Sequence, residues 1–351
     1  MADLPVLAGV GHRPSWRPDR LTVALVALVA TVSVASLGSG AAGVPLTQVL
    51  PALVGIETLN HRDAVILWDI RLPRLVMGLL VGAALAVAGA LMQGLFRNPL
   101  ADPGLVGVSA GAGLGAVLAI VMGGSLGARA GPAMVPVAAF AGGWAVTLVL
   151  ARIATRSGRT SVATLLLAGL ALGALAGAAT GVLVFLADDT QLRDLTFWSL
   201  GSLAGASWAK LAVAAPLIVA VLALAPRLGR ALDALALGEA AAQHMGVPVE
   251  QTKRLAILAT AAAAGAAVAL SGGIAFVGIV VPHLLRLAAG PGHRLLLPRA
   301  ALLGGALLAA ADIVARSIVA PAELPIGVVT AAVGAPAFLW ILLRRAGTGA
   351  I

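Results

Sequence analysis

Gly107-Val108-Ser109-Ala110-Gly111 fits G-x-S-x-G, the spacing at which a sharp turn presents a serine nucleophile. A serine attacks only with a base beside it. The five histidines, His12, His61, His244, His283 and His293, fall outside the long apolar runs or near their ends. In a chain with 43 glycines and many alanines such a match also arises by chance. Hydrolysis inside a membrane is therefore the weaker reading, and no catalytic residue is assigned. The histidines form no i, i+3 or i, i+4 pair and no H-E-x-x-H, and there is no cysteine, so neither a metal site nor a cofactor is expected. Lys210 and Lys253 are the only lysines, and neither follows G-x-x-x-x-G, so the chain carries no P-loop for ATP.

Charged residues close to apolar runs offer a different chemistry. Asp312 and Arg316 stand four apart in one run, share a helix face and can pair. A lone charge at the centre of a membrane helix costs about 2.5–3.5 kcal/mol. Near a helix end the cost is smaller, and an arginine can reach the interface. Arg71-Leu72-Pro73-Arg74 opens another run, with Pro73 suited to a first helical turn. With Arg316 these two arginines would make an exposed basic rim fit for bidentate carboxylate contacts. Plain anchoring at the lipid interface is the alternative.

The elements that must position these residues are membrane helices. The 22 residues between Arg74 and Arg97 carry no charge, and similar runs cover 103–128, 130–151, 160–187, 255–285 and 324–343. About 20 apolar residues span a bilayer. Hydrophobic residues make up 60% of the chain and charged ones 11%, far from a soluble domain. The expectation is an all-α polytopic membrane protein with about ten spans, near 21–41, 74–96, 104–123, 133–152, 161–186, 209–226, 254–271, 274–290, 298–319 and 325–344. Ser271-Gly272-Gly273 divides a 255–285 run too long for one span. The net charge of +9 does not point to nucleic acid, because the basic residues are scattered between apolar runs. Gly169, Gly173, Gly177 and Gly181 form a small-residue stripe suited to tight packing on a neighbour or to a smooth face beside a pathway.

Residues 1–20 read as a cytoplasmic tail and 21–351 as one transmembrane domain. With an even number of spans both termini share a side. Placing them in the cytoplasm puts most of the 23 basic residues there, leaving Arg62, Arg71, Arg74, Arg129, Arg193, Lys210 and Arg316 outside. The longest cytoplasmic connection, about 227–250, is rich in helix formers punctuated by Gly238 and Gly246, which predicts short helices at the membrane face.

Several segments, in order, resemble the FecCD-type permeases of ABC importers. They are Arg71-Leu72-Pro73-Arg74, Gly82-Ala83-Ala84-Leu85, Gly89-Ala90-Leu91-Met92-Gln93, and Arg97-Asn98-Pro99-Leu100-Ala101-Asp102-Pro103. Leu237-Gly238-Glu239, Gly272-Gly273-Ile274-Ala275-Phe276-Val277-Gly278, Pro282-His283 and Leu324-Pro325-Ile326-Gly327 complete the set. The resemblance implies a type II ABC importer permease fold in the bacterial inner membrane. It implies a homodimer that takes up haem, iron–siderophores or cobalamin, with haem favoured. Two cytoplasmic ATPase subunits would drive it, and a periplasmic binding protein would deliver the substrate. By the same resemblance, Arg71, Arg74 and Arg316 would receive carboxylates of the binding protein. Gly238 and Glu239 would couple to the ATPase, and Asn98, Leu100, Thr160, Ser161 and Thr164 would form the cytoplasmic gate. An ion-coupled secondary transporter is the main rival. It is disfavoured because no cleft of ionisable residues falls at mid-span.

Overall fold

The computed structural model describes residues 19–40, 43–56, 58–126 and 133–346. The expected N-terminal tail therefore lies almost wholly outside the described residues. Helix α1 (Arg20–Gly38) starts at Asp19, whose carboxylate accepts the Thr22 N–H at 3.0 Å. Two short helices follow, α2 (Leu46–Leu53) and α3 (His61–Val65). A wider π turn over Ile66–Arg71 then runs without a break into α4 (Leu72–Phe96). Pro73 has no N–H to give the ladder, and the wide turn just before it absorbs that gap. Arg71-Leu72-Pro73-Arg74 thus does not open the span as expected; it sits well inside one helix of 36 residues, His61–Phe96.

Arg97 closes α4 in a left-handed conformation, and a one-turn 3-10 helix over Pro103–Val106 leads into α5 (Val108–Leu126). Helix α6 (Met134–Ala154) ends in a tight hairpin pairing Thr155 with Thr160 and Arg156 with Arg159. Ser161 then caps α7 (Val162–Leu186). A capping box of Asp188 and Gln191 starts α8 (Asp189–Ser199). Next come α9 (Trp208–Ala236), α10 (Glu239–His244), α11 (Val249–Ser271), α12 (Val277–Ala289), α13 (His293–Ser317) and α14 (Ile326–Ala346).

Seven of these helices are long and apolar enough to cross a membrane, and three shorter apolar ones, Val108–Gly123, Val277–Ala289 and Ile326–Trp340, bring the total to the ten expected. The break after Ser271 is where the glycines place it, with Gly272 at φ +70°. The 227–250 connection departs from expectation. Its first half is no separate helix but the end of α9, which runs on to Ala236; only α10 stands alone. Only Leu237 and Gly238 separate the two helices.

Helices α4, α11 and α13 form the centre. Over its most apolar stretch α4 is 83% buried and α11 78%, whereas α7 is only 17% buried. Glycine permits the close approach: a Cβ on Gly82 would overlap the Gly304 carbonyl, and one on Gly89 the Gly278 carbonyl. The predicted stripe on α7 packs only in part. Gly169 touches the Leu105 carbonyl, while Gly177 and Gly181 meet nothing among the described residues.

Candidate functional site

The arginines expected on an exposed rim are buried. Arg71 is 4% exposed, Arg74 9% and Arg316 8%. Arg74 donates from Nε to both oxygens of Asp312, at 3.1 and 3.0 Å, and from Nη2 to Oδ1 at 2.9 Å. Its Nη1 reaches Glu323 at 2.8 Å. Arg316 pairs with Asp312 as its spacing predicts, Nε to Oδ2 at 3.5 Å, but its main partners lie on α1. It donates to the Ser36 carbonyl at 2.6 Å, the Ser36 hydroxyl at 2.8 Å and the Ser39 carbonyl at 3.1 Å. Arg71 donates to the carbonyls of Leu37 at 2.6 Å and Val44 at 3.2 Å. Two guanidinium groups thus satisfy carbonyls at the C-terminal end of α1, where positive charge also suits the helix dipole. One polar knot ties α1, α4 and α13 together. Among the described residues Arg71 Nη2 is buried without a hydrogen-bond partner, and Gly40 passes beside it.

At the opposite end of the bundle lie the residues expected to couple to an ATPase and to form a gate. Gly238 precedes α10 with φ +111° and ψ 154°, a conformation that a side chain would strain. Among the described residues nothing lies within 4 Å of where its Cβ would be, so the backbone and not crowding requires glycine. Leu237 and Met245, on either side of α10, are 72% and 54% exposed. Glu239 Oε2 lies 2.8 Å from Lys253 Nζ, a buried ammonium on α11. The same nitrogen donates to the Thr160 carbonyl at 2.9 Å and to Glu250 Oε1 at 3.1 Å. Glu250 Oε2 in turn accepts the Thr160 N–H at 2.7 Å. Of the gate candidates, Thr160 is buried in the hairpin, and the Ser161 hydroxyl accepts the Thr164 N–H at 3.2 Å as the cap of α7. Asn98 and Leu100 share a separate turn, where the Asn98 side chain accepts the Leu100 N–H at 2.9 Å.

A cavity of about 790 Å³ lies between these ends, lined among others by Leu85, Asp102, Ser109, Trp198, Phe276 and Ala331. Ser109 faces it, and none of the lining residues is a histidine or a lysine. Burial pushes the Asp102 carboxyl above its usual range, against the Gly104 N–H at 2.7 Å that favours the charged form. No group of three or more His, Cys, Asp or Glu among the described residues is arranged to hold a metal ion.

The sequence reading missed Lys253, Glu250, Glu323 and Ser36. Glu250 and Lys253 are three apart on one helix, which is a visible pairing signal. Contacts of arginine with backbone carbonyls leave no mark in a sequence.

The FecCD transport family model matches residues 27–344. The chain is 49% identical over 277 residues to the hemin transport system permease protein HmuU of Yersinia pestis, covering 79% of this chain and 83% of that protein. It is 41% identical over 304 residues to the vitamin B12 import system permease protein BtuC of Klebsiella pneumoniae, covering 84% and 87%. Among solved structures, an inward-facing metal-chelate type ABC transporter superposes with a TM-score of 0.81 at 30% identity, covering 92% of this chain and 98% of that one. With the family model spanning nearly the whole helical bundle, the protein belongs to the FecCD transport family.

Proposed function

We propose that this chain is the membrane permease subunit of an ATP-driven importer that carries an iron chelate, haem before ferric siderophore, into the cytoplasm. The observation that carries this reading is the 49% identity to a hemin permease across most of both chains. The α10 end faces the cytoplasm, with both termini on that side, and receives two ATPase subunits at Gly238 and Glu239. The exposed Leu237 and Met245 beside α10 support a protein contact there. A periplasmic binding protein docks at the arginine end. Burial leaves little of Arg71, Arg74 and Arg316 on show. Support for docking comes instead from the unpartnered Arg71 Nη2 and from Glu323, half-exposed beside Arg74, whose place a partner's carboxylate can take.

A second copy of the chain completes the pathway. The exposure of Leu167, Leu170 and Phe185 on α7, at 71%, 73% and 87%, together with the open Gly177 and Gly181, supports a partner or pathway along that face. Asn98 and Leu100 on one turn, with Thr160, Ser161 and Thr164 at the start of α7, close the cytoplasmic side. Cobalamin is the second substrate reading, favoured by the 41% identity to a vitamin B12 permease. The test is uptake into liposomes holding permease and ATPase, with binding proteins loaded in turn with haem, ferric siderophore and cobalamin. ATP-dependent haem uptake is expected. Cobalamin uptake alone replaces the substrate, and uptake without any ATPase subunit overturns the importer reading.

A further inference from the structure

The side chain of Lys253 is 3% exposed, while Glu239 and Glu250, the carboxylates that it touches, are 41% and 34% exposed. An ammonium has three donors and no acceptor. Here three acceptors surround it, from the first residue of α10, the first turn of α11 and the last residue of the hairpin before α7. Thr160 is held twice, since Glu250 takes its N–H and Lys253 its carbonyl. Ser161, the next residue, caps α7. A shift of α10 therefore pulls on the same nitrogen that fixes the start of α7, because a hydrogen bond is lost once its atoms part by more than about 3.5 Å.

We infer that Lys253 is the positioning residue that transmits movement of α10 to the hairpin and to the first turn of α7. The inference rests on the reading of α10 as the ATPase contact and of Thr160–Thr164 as a gate element. The competing account is a structural ion pair that merely fills its place. An apolar residue of similar length separates the two, because both carboxylates reach water without the lysine.

The experiment uses the full transporter in liposomes. The chain has no cysteine, so Ala163→Cys, at an exposed position on α7, gives the permease a single maleimide site. With Lys253 in place, ATP is expected to change its labelling rate. In Lys253→Met the ATPase subunits still co-purify, the nucleotide effect on labelling disappears, and transport per ATP falls about tenfold, as loss of a charge-assisted contact implies. Lys253→Arg restores more than half of both. Nucleotide-dependent labelling and transport per ATP that survive Lys253→Met overturn the inference. If that variant does not assemble, Glu250→Gln carries the same expectation and the same power to overturn it. Cross-linking of Ala240→Cys on α10 to the ATPase separates the two levels. Without a cross-link the docking reading falls and takes the inference with it. With a cross-link but unaltered coupling in Lys253→Met, the inference alone falls.

Discussion

The two ends of the bundle each gather charges, and they are built in opposite ways. At the arginine end the carboxylate at the centre is sealed: Asp312 has a side-chain exposure of 4%, and Arg316, one of the two arginines that it touches, is also bound to carbonyls at the end of α1. At the α10 end the cation is sealed and its carboxylates are open to water. The first arrangement locks three long helices whose separation would strand charge in an apolar medium. The second can exchange a carboxylate for water at small cost. The bundle thus has a knot that holds at one end and a link that can let go at the other.

Asp312→Ala breaks the comparison most sharply. It leaves Arg74 and Arg316 buried beside a vacancy, and removing one partner of a buried pair costs about 3–5 kcal/mol. Thermal unfolding in detergent should show that loss, and Arg74→Met added to it should recover a good part. Equal instability with and without the second change would mean that the two residues are not energetically paired.

Arg71→Glu comes next. It sets a carboxylate against the Leu37 and Val44 carbonyls and removes the contact proposed for the binding protein. A well-formed charge-assisted hydrogen bond contributes about 1.5–3 kcal/mol, so capture of the binding protein should weaken by roughly ten- to a hundredfold. A glutamate-to-arginine change on the partner should restore capture. Poor insertion that no partner change repairs would assign Arg71 to holding α1 alone.

Glu239→Gln should barely change stability, within about 1 kcal/mol, since the pair is partly exposed. Transport per ATP should drop all the same, and an unchanged ratio would remove Glu239 from the coupling path. The smallest effect is expected of Glu323→Gln, again below about 1 kcal/mol in unfolding. It loosens the hold on one arm of Arg74, so binding-protein capture should strengthen slightly. Weaker capture would show that Glu323 assists docking instead of competing with it.

Most of the frame was legible in the sequence because apolar length is a strong signal. All ten expected spans have their helix, and the Ser271-Gly272-Gly273 break is real. The misplaced arginines have one cause. Counting places a charge at the end of a run in water, whereas Arg71, Arg74 and Arg316 find acceptors on α1 and α13 that no periodicity reveals. The same blindness hid Lys253, which the topology count treats only as a cytoplasmic charge although it joins segments some 90 residues apart. The separate helices expected over 227–250 were a boundary error. Arg227 and Arg230 read as the end of the span, yet α9 continues through both.

The touching glycines have a consequence for heredity. Every single-base change that alters a glycine codon to another amino acid introduces a Cβ, and at Gly82, Gly89 and Gly304 that atom has backbone where it must go. The centre of the bundle is therefore a place where the gene cannot drift in small steps. Lineages diverging in substrate are expected to vary on α7 and α14 while these codons stay still, and a deep mutational scan would draw the seams of α4, α12 and α13 as silent columns.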